Sequence, residues 1–275
     1  MKQIKAVFQK KTPRDAEWEK IEKQEKRFRK ERAERKEATW QQMLEEKVPD
    51  QLQKTLDFAF CKAFAAVFEK GTGMIEKTYK KEETEREYKV RAYSLSLKED
   101  KNSLRAFSKQ AKRSGTKNVL LSGVEGVGLG ILGIGIPDIP LLTAMMLKSV
   151  YQISLHYGIE YDTELERYFI MELIRGSFAY GEEYEEIERN IETFLFHETL
   201  PENYIRKEQI IKTSAAVSRE LVYMKFLQGI PVIGVVGGVF DAVYVRQLVR
   251  YANLKYRKRF LYRLKTKGEQ MDMSL

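Results

Sequence analysis

Three carboxylates and one histidine are the residues of this chain whose type and setting point to chemistry. Glu125, Asp138 and Asp241 lie in apolar, glycine-rich sequence, within a chain that is 32% charged. An acid in such a setting is either a buried group with a raised pKa or a structural group that caps a helix or pairs with Lys or Arg. The structural reading is adopted. Asp138 follows Pro137 and precedes a helix expected from Leu141, so it can cap free N–H groups there. Glu125 and Asp241 are expected to pair with basic side chains. His156 falls at a helix end, where the negative pole of the dipole favours a structural role. No catalytic residue is assigned; Glu125, Asp138 and His156 are the candidates should the chain be an enzyme. His197-Glu198 has no second histidine three residues on, so the zinc-protease helix is missing. With a single cysteine, Cys61, and no cysteine–histidine cluster, neither a metal nor a cofactor is predicted.

Gly128-Leu-Gly130-Ile-Leu-Gly133 satisfies the dinucleotide spacing G-x-G-x-x-G. That motif needs a preceding strand and a helix opening from it, whereas here Pro137 follows and no βαβ pattern surrounds it. The glycines are read instead as helix-packing positions, with Gly126/Gly130 and Gly234/Gly238 each four apart on one face. No Walker-type or G-x-S-x-G motif is present.

The elements that position these residues are helical. Thr12-Pro13-Arg14-Asp15 starts a charged helix to about Lys47, with sparse apolar residues such as Trp18, Ile21 and Phe28, read as a solvated arm packed at a few points rather than a core element. Leu52, Leu56, Phe60, Phe64 and Val67 recur at helical spacing in a core helix from Pro49 to Gly71. Asp100–Arg113 forms another, stopped at Ser114-Gly115. Leu141–Tyr157 ends at Gly158, and Thr163-x-x-Glu166 is a capping box opening a helix to about Arg175. Residues 181–197 form an acidic helix with Tyr184, Ile187, Ile191, Phe194 and Leu195 on one face. Helices over Ile205–Leu227 and Pro231–Leu264 complete an all-α, multi-helix bundle of about eight or nine helices with two glycine-rich apolar segments. Three regions are expected: a charged arm over 1–48, a helical domain over 49–268 and a disordered tail over 269–275.

Charge is unevenly spread along the 275 residues. The formal net charge is +9; Arg246–Gly268 holds nine Lys/Arg and no acid, while Glu160–Glu188 holds ten Asp/Glu. The basic stripe interleaves Tyr and Leu with Arg246, Arg250, Lys255, Arg257, Lys258, Arg259 and Arg263, as surface-seeking helices do. These seven are expected to meet an anionic membrane surface. No nucleic-acid reading motif accompanies them, and nucleic acid is not expected as a partner. Val119–Ile136 reaches the lower length limit of a membrane span, yet it is rich in glycine and breaks at Pro137-Asp138. It is read as soluble core or as a partly inserted segment. The lone cysteine and the absence of a secretory signal lead to the expectation of a cytoplasmic protein, peripheral at the cytoplasmic face of the cell membrane.

These residues resemble the EcsC protein family. The carriers are Phe68-Glu-Lys-Gly71 with Ile75-Glu-Lys-Thr78, Gly135-Ile-Pro-Asp138-Ile-Pro140, Tyr157-Gly158, Gly229-Ile-Pro-Val-Ile-Gly234 and the aromatic-basic Tyr251–Leu261. They span roughly residues 40–262, which leaves the charged arm outside. The resemblance implies a link to an operon that also encodes an ABC transporter, and it brings no catalytic residues. The reading is therefore a non-catalytic accessory of an ABC-type transport or secretion system at the inner membrane face. A reading from another class, a hydrolase-like enzyme, would use Asp138, Glu125 or His156 in a helix-lined pocket.

Overall fold

Short polar side chains open several of the helices by satisfying free backbone N–H groups. In the computed structural model, which describes residues 11–33, 50–70, 72–121, 138–227 and 239–272, α1 (Pro13–Ala33) opens on a reciprocal cap. The Thr12 amide and hydroxyl donate to Asp15, and the Asp15 amide donates back to Thr12 Oγ1 (3.1 Å). Then come α2 (Asp50–Lys70), a single turn α3 (Gly73–Glu76), α4 (Lys81–Leu97) and α5 (Lys101–Leu121). The Asp100 carboxylate accepts from the amides of Asn102 and Ser103 at the start of α5. The remaining helices are α6 (Asp138–His156), α7 (Glu164–Phe178), α8 (Gly181–His197), α9 (Arg206–Leu227) and α10 (Val239–Asp272). No strand occurs among the described residues, so the all-α expectation holds.

Several boundaries differ from expectation for identifiable reasons. The α5 helix runs through Ser114-Gly115, because an interior glycine costs only about 1 kcal/mol and α5 buries Leu104, Phe107 and Ala111. In α7 the Thr163 hydroxyl accepts from the Glu166 amide (3.1 Å). The second half of the capping box is missing, since the Glu166 carboxylate turns inward to Tyr256 and Arg259. Gly158 ends α6 in the left-handed region (φ 72°), where a side chain would also run into the ring of Tyr88.

The last helix is the central post. It packs against α1, α5, α6, α7 and α8, and every residue from Tyr251 to Leu261 is buried. The first helix also belongs to the core, unlike the solvated arm expected for residues 1–48. Glu17, Ile21 and Phe28 are at most 2% exposed, on a face repeated at 17, 21, 25, 28 and 32. Charged residues hold three of those five positions, so hydropathy alone does not reveal the face.

The register of these contacts fixes where the helices end. Ser108 meets Asn253, and Arg105 and Arg257 share Glu17, so α5 runs antiparallel to α10. Leu121 and Val239 lie about 20 Å further along their helices from the 108–253 contact, in the same direction. The Tyr244 hydroxyl donates to the Glu220 carbonyl, while Gln247 reaches Ser177 on α7. With α7 and α9 parallel through Glu164–Arg206 and Glu172–Gln209, α9 is also antiparallel to α10 and ends beside its start. Leu121, Leu227 and Val239 therefore share one end of the bundle, the end at which residues 122–137 and 228–238 join it. No helix among the described residues is long and apolar enough to cross a membrane.

Gly126, Gly130, Gly234 and Gly238 lie outside the described residues. Gly176, on α7, is a packing glycine that spacing did not identify: a Cβ there would sit 2.7 Å from the Tyr251 hydroxyl and 3.1 Å from Ile187 Cγ2. Alanine favours a helix over glycine by about 1 kcal/mol, whereas overpacking costs roughly 1–3 kcal/mol. Gly176→Ala is expected to lower the thermal midpoint; an unchanged or raised midpoint would show that Tyr251 yields freely.

Candidate functional site

The basic stripe of α10 is turned inward, and the acids that meet it come from α1, α7 and α8. Lys255 is wholly buried. Its ammonium lies 2.6 Å from Glu25, 2.7 Å from Glu188 and 3.6 Å from Glu192. One turn on, Lys258 lies 2.8 Å from Glu25 and 2.6 Å from Glu192, and the Tyr251 hydroxyl donates to the other oxygen of Glu188. The three carboxylates offer oxygens within 4.8 Å of one another, a spacing that suits a metal ion. Here two lysine ammonium groups fill the cation's place. Burial pushes the Glu25 carboxyl up, but Lys255 and Lys258 outweigh it and hold it below its ordinary range. Burial acts against charged Lys255 as well, yet Glu188 and Glu25 raise its pKa.

Three further pairings repeat the arrangement along α10 and α7. Arg259 binds Glu166 (2.7 Å) and Glu198 (3.0 Å) while lying over the rings of Phe169 and Phe194. Glu198 also receives Arg263 (2.7 Å), and these two arginines hold a residue that ends α8 with a positive φ of 51°. Arg257 shares Glu17 with Lys20 and Arg105. On α7, Glu172 is bound by Arg175 (2.5 Å) and Gln209.

Of the seven basic residues assigned to a membrane surface, Lys255, Arg257, Lys258 and Arg259 are thus buried in ion pairs. In this fold they cannot present charge to a headgroup. Arg263 is half-buried against Glu198. Arg246 and Arg250 remain exposed, and Arg250 pairs with Glu31 (3.0 Å). Glu125 lies outside the described residues. Asp138 opens α6, three residues earlier than expected, and Asp241 lies in the first turn of α10; their side chains lie outside the described residues.

His156 is 2% exposed. Its Nδ1 faces Arg91 (3.0 Å) and its Nε2 faces the Ser114 hydroxyl (2.6 Å). A serine–histidine contact invites comparison with a nucleophile and its base, but the proton inventory opposes it. Arginine only donates, so Nδ1 must accept, and in neutral imidazole Nε2 then carries the hydrogen. That nitrogen donates to Ser114 and cannot take its proton. Burial, with Arg91 adding to it, lowers the His156 pKa to about 4. The geometry fits a structural histidine.

The far end of the bundle is closed in the same way. Tyr79 donates to Tyr161 (2.7 Å), Tyr161 to Glu76, and Lys81 to Glu76 (3.2 Å), while Lys148 donates to the Thr78 carbonyl (2.9 Å). The segment Ile75-Glu-Lys-Thr78 is therefore a joint between α3 and α6, and the neighbouring Tyr157 hydroxyl donates to Asn253 on α10 (2.8 Å).

An all-α bundle built on one buried basic helix, with its charges met inside, is the class of protein these contacts define. The chain belongs to the EcsC protein family, whose model matches residues 15–261. That match takes in α1, which packs in the core, and so begins earlier than the resemblance at roughly residue 40. No curated protein and no solved structure matches the chain.

Removing one partner of a buried pair strands the other charge, at a cost of roughly 3–5 kcal/mol. Lys255→Ala is expected to lose that much in denaturant unfolding, because Glu25, Glu188 and Glu192 would then face one another. Lys255→Met combined with Glu188→Gln is expected to recover part of the loss. A single variant within 1 kcal/mol of wild type, an order-of-magnitude margin, would remove the lysine from its central role.

His156 gives a separate pH signature. Its folded pKa lies below the unfolded value of 6.5, so its contribution is fully present above 6.5 and fades as pH falls toward about 4. The carboxylates held low, such as Glu25 and Glu198, lose theirs only below about 4.5, the ordinary glutamate range. Wild type is expected to lose about 2 kcal/mol between pH 7 and 5, and His156→Gln should flatten that slope. Equal slopes in urea titrations would show that other groups carry it.

Proposed function

We propose that the chain is a non-catalytic accessory protein that docks peripherally on an anionic membrane and serves an ABC-type transport or secretion system. The observation that carries the reading is the shared position of three helix ends. Leu121, Leu227 and Val239 lie together, and the two glycine-rich apolar sequences, 122–137 and 228–238, attach there. Exposed Arg246 is within two turns of that end, with Arg250 one turn further on. An apolar sequence joined in the chain to helix ends that lie near exposed arginine has the composition of an interfacial contact. The chemistry of the described interior points the same way: its acids are bound to lysine, arginine or tyrosine, and His156 holds the wrong tautomer for a base. The transporter link is the one that the family resemblance implies.

With most of α10's charge neutralised internally, electrostatic attraction falls chiefly to Arg246 and Arg250. Each contributes about 1 kcal/mol near an anionic surface, screened by salt. Fractionation of expressed protein should place it in the salt-washable pool. It is expected to co-sediment with phosphatidylglycerol vesicles, less with neutral phosphatidylcholine, and less again at high salt. Arg246→Glu should weaken that binding. Recovery wholly in the soluble fraction, with equal binding to both vesicle types at every salt concentration, would reject the proposal.

A further inference from the structure

Arg32 stands apart from the other buried cations. It is 6% exposed, and its guanidinium lies over the rings of Phe28 (4.9 Å) and Tyr180 (4.6 Å). Among the described residues it has neither an ion pair nor a hydrogen bond, although Glu17, Glu25, Glu166, Glu172 and Glu188 all meet cations. Taking a guanidinium out of water without an anion is unfavourable, and a cation–π contact offsets only part of that.

The same guanidinium lines a cleft of about 380 Å³ between the end of α1, Tyr180 before α8, and the first turns of α10. That volume is at the small end of the range for small-molecule sites, roughly 300–1,000 Å³. Arg246 and Arg250 line it as well, with Gln247 and Glu31. Arg246 is exposed and, like Arg32, has no acceptor among the described residues. Glu31 is already engaged by Arg250 (3.0 Å) and Arg27 (3.1 Å). Phe28 carries two of the three arginines, because Arg250 also lies over its ring (5.3 Å). Three guanidinium groups against one carboxylate leave a surplus of two positive charges. A phosphomonoester carries about −1.5 to −2 near pH 7, and planar guanidinium forks match its oxygens.

We propose that this cleft binds a phosphomonoester group, received in depth by Arg32 and at the rim by Arg246 and Arg250. The aromatic faces of Phe28 and Tyr180 hold Arg32 in place and shield the site from water. The phosphate can come from a soluble phosphorylated compound or from the headgroup of a lipid such as phosphatidic acid. The site does not depend on the membrane reading above.

The test uses the full chain with two probes: glycerol 3-phosphate by calorimetry, and phosphatidylcholine vesicles with and without phosphatidic acid by co-sedimentation. Arg246→Gln is expected to weaken binding at least about tenfold, the loss of one charge-assisted hydrogen bond, and Arg32→Gln to weaken it further. Arg189→Gln, an equal charge change on the exposed face of α8, should leave binding unchanged. Glycerol 3-phosphate bound without vesicle binding assigns a soluble ligand, supporting the site even if the membrane reading fails. Vesicle binding that requires phosphatidic acid and the two arginines assigns a lipid headgroup. Should Arg32→Gln fail to fold, the exposed Arg246 decides the matter. Failure of the folded wild type to bind either probe, or an equal loss in Arg189→Gln, overturns the proposal.

Discussion

The buried ammonium of Lys255 is the constraint on which the bundle depends. It joins Glu25 of α1 to Glu188 and Glu192 of α8, so three helices are fixed in register by one charge. A buried cation tolerates few arrangements, because any shift that loses a carboxylate leaves it desolvated and unpaired. Leucine at the same place would fill the volume without choosing between neighbouring registers. Lys258 binds Glu25 and Glu192 a turn further on, so α1 cannot slide along α10 without breaking both sites.

The same logic explains how one helix can be basic and central at once. Around Tyr251–Leu261, aromatic rings separate the ion pairs. Tyr251 stacks on Phe28 (4.8 Å), Tyr256 meets Phe169 edge-on (5.3 Å), and Phe260 lies 4.5 Å from Phe107. The rings supply apolar area and exclude water, which strengthens each pair, while the tyrosine hydroxyls occupy carboxylate oxygens the cations leave open. Such a core is satisfied in its polar groups, with exceptions such as the Thr143, Ser149 and Tyr151 hydroxyls.

Among the described residues, the buried carboxylates are closed on cations, amides or hydroxyls rather than left facing open space. The informative departures are therefore the cations that have not been closed. Arg32 and Arg246 flank one cleft, toward the end of the bundle where the two glycine-rich sequences attach. Among the described residues, Arg32 there departs from the pattern in which the other buried cations meet an acid.

The sequence by itself determined most of the helices, several of their caps and the family; α4, which buries only Leu95, carries no periodic apolar signal. Thr12 and Thr163 cap where short polar side chains open a helix, Gly158 stops α6, and Tyr184, Ile187, Ile191, Phe194 and Leu195 are the buried face of α8. Those signals are local, set by backbone geometry and by a 3.6-residue period. Tertiary structure alone decided which charges face water. Nothing in Lys255, Arg257, Lys258 or Arg259 distinguishes a solvated stripe from a buried one, because that depends on Glu17, Glu25, Glu166 and Glu188, which arrive from other helices up to 240 residues away. The α1 face was hidden for the same reason: Glu17, Glu25 and Arg32 count as surface residues until the partners that neutralise or shelter them are in place.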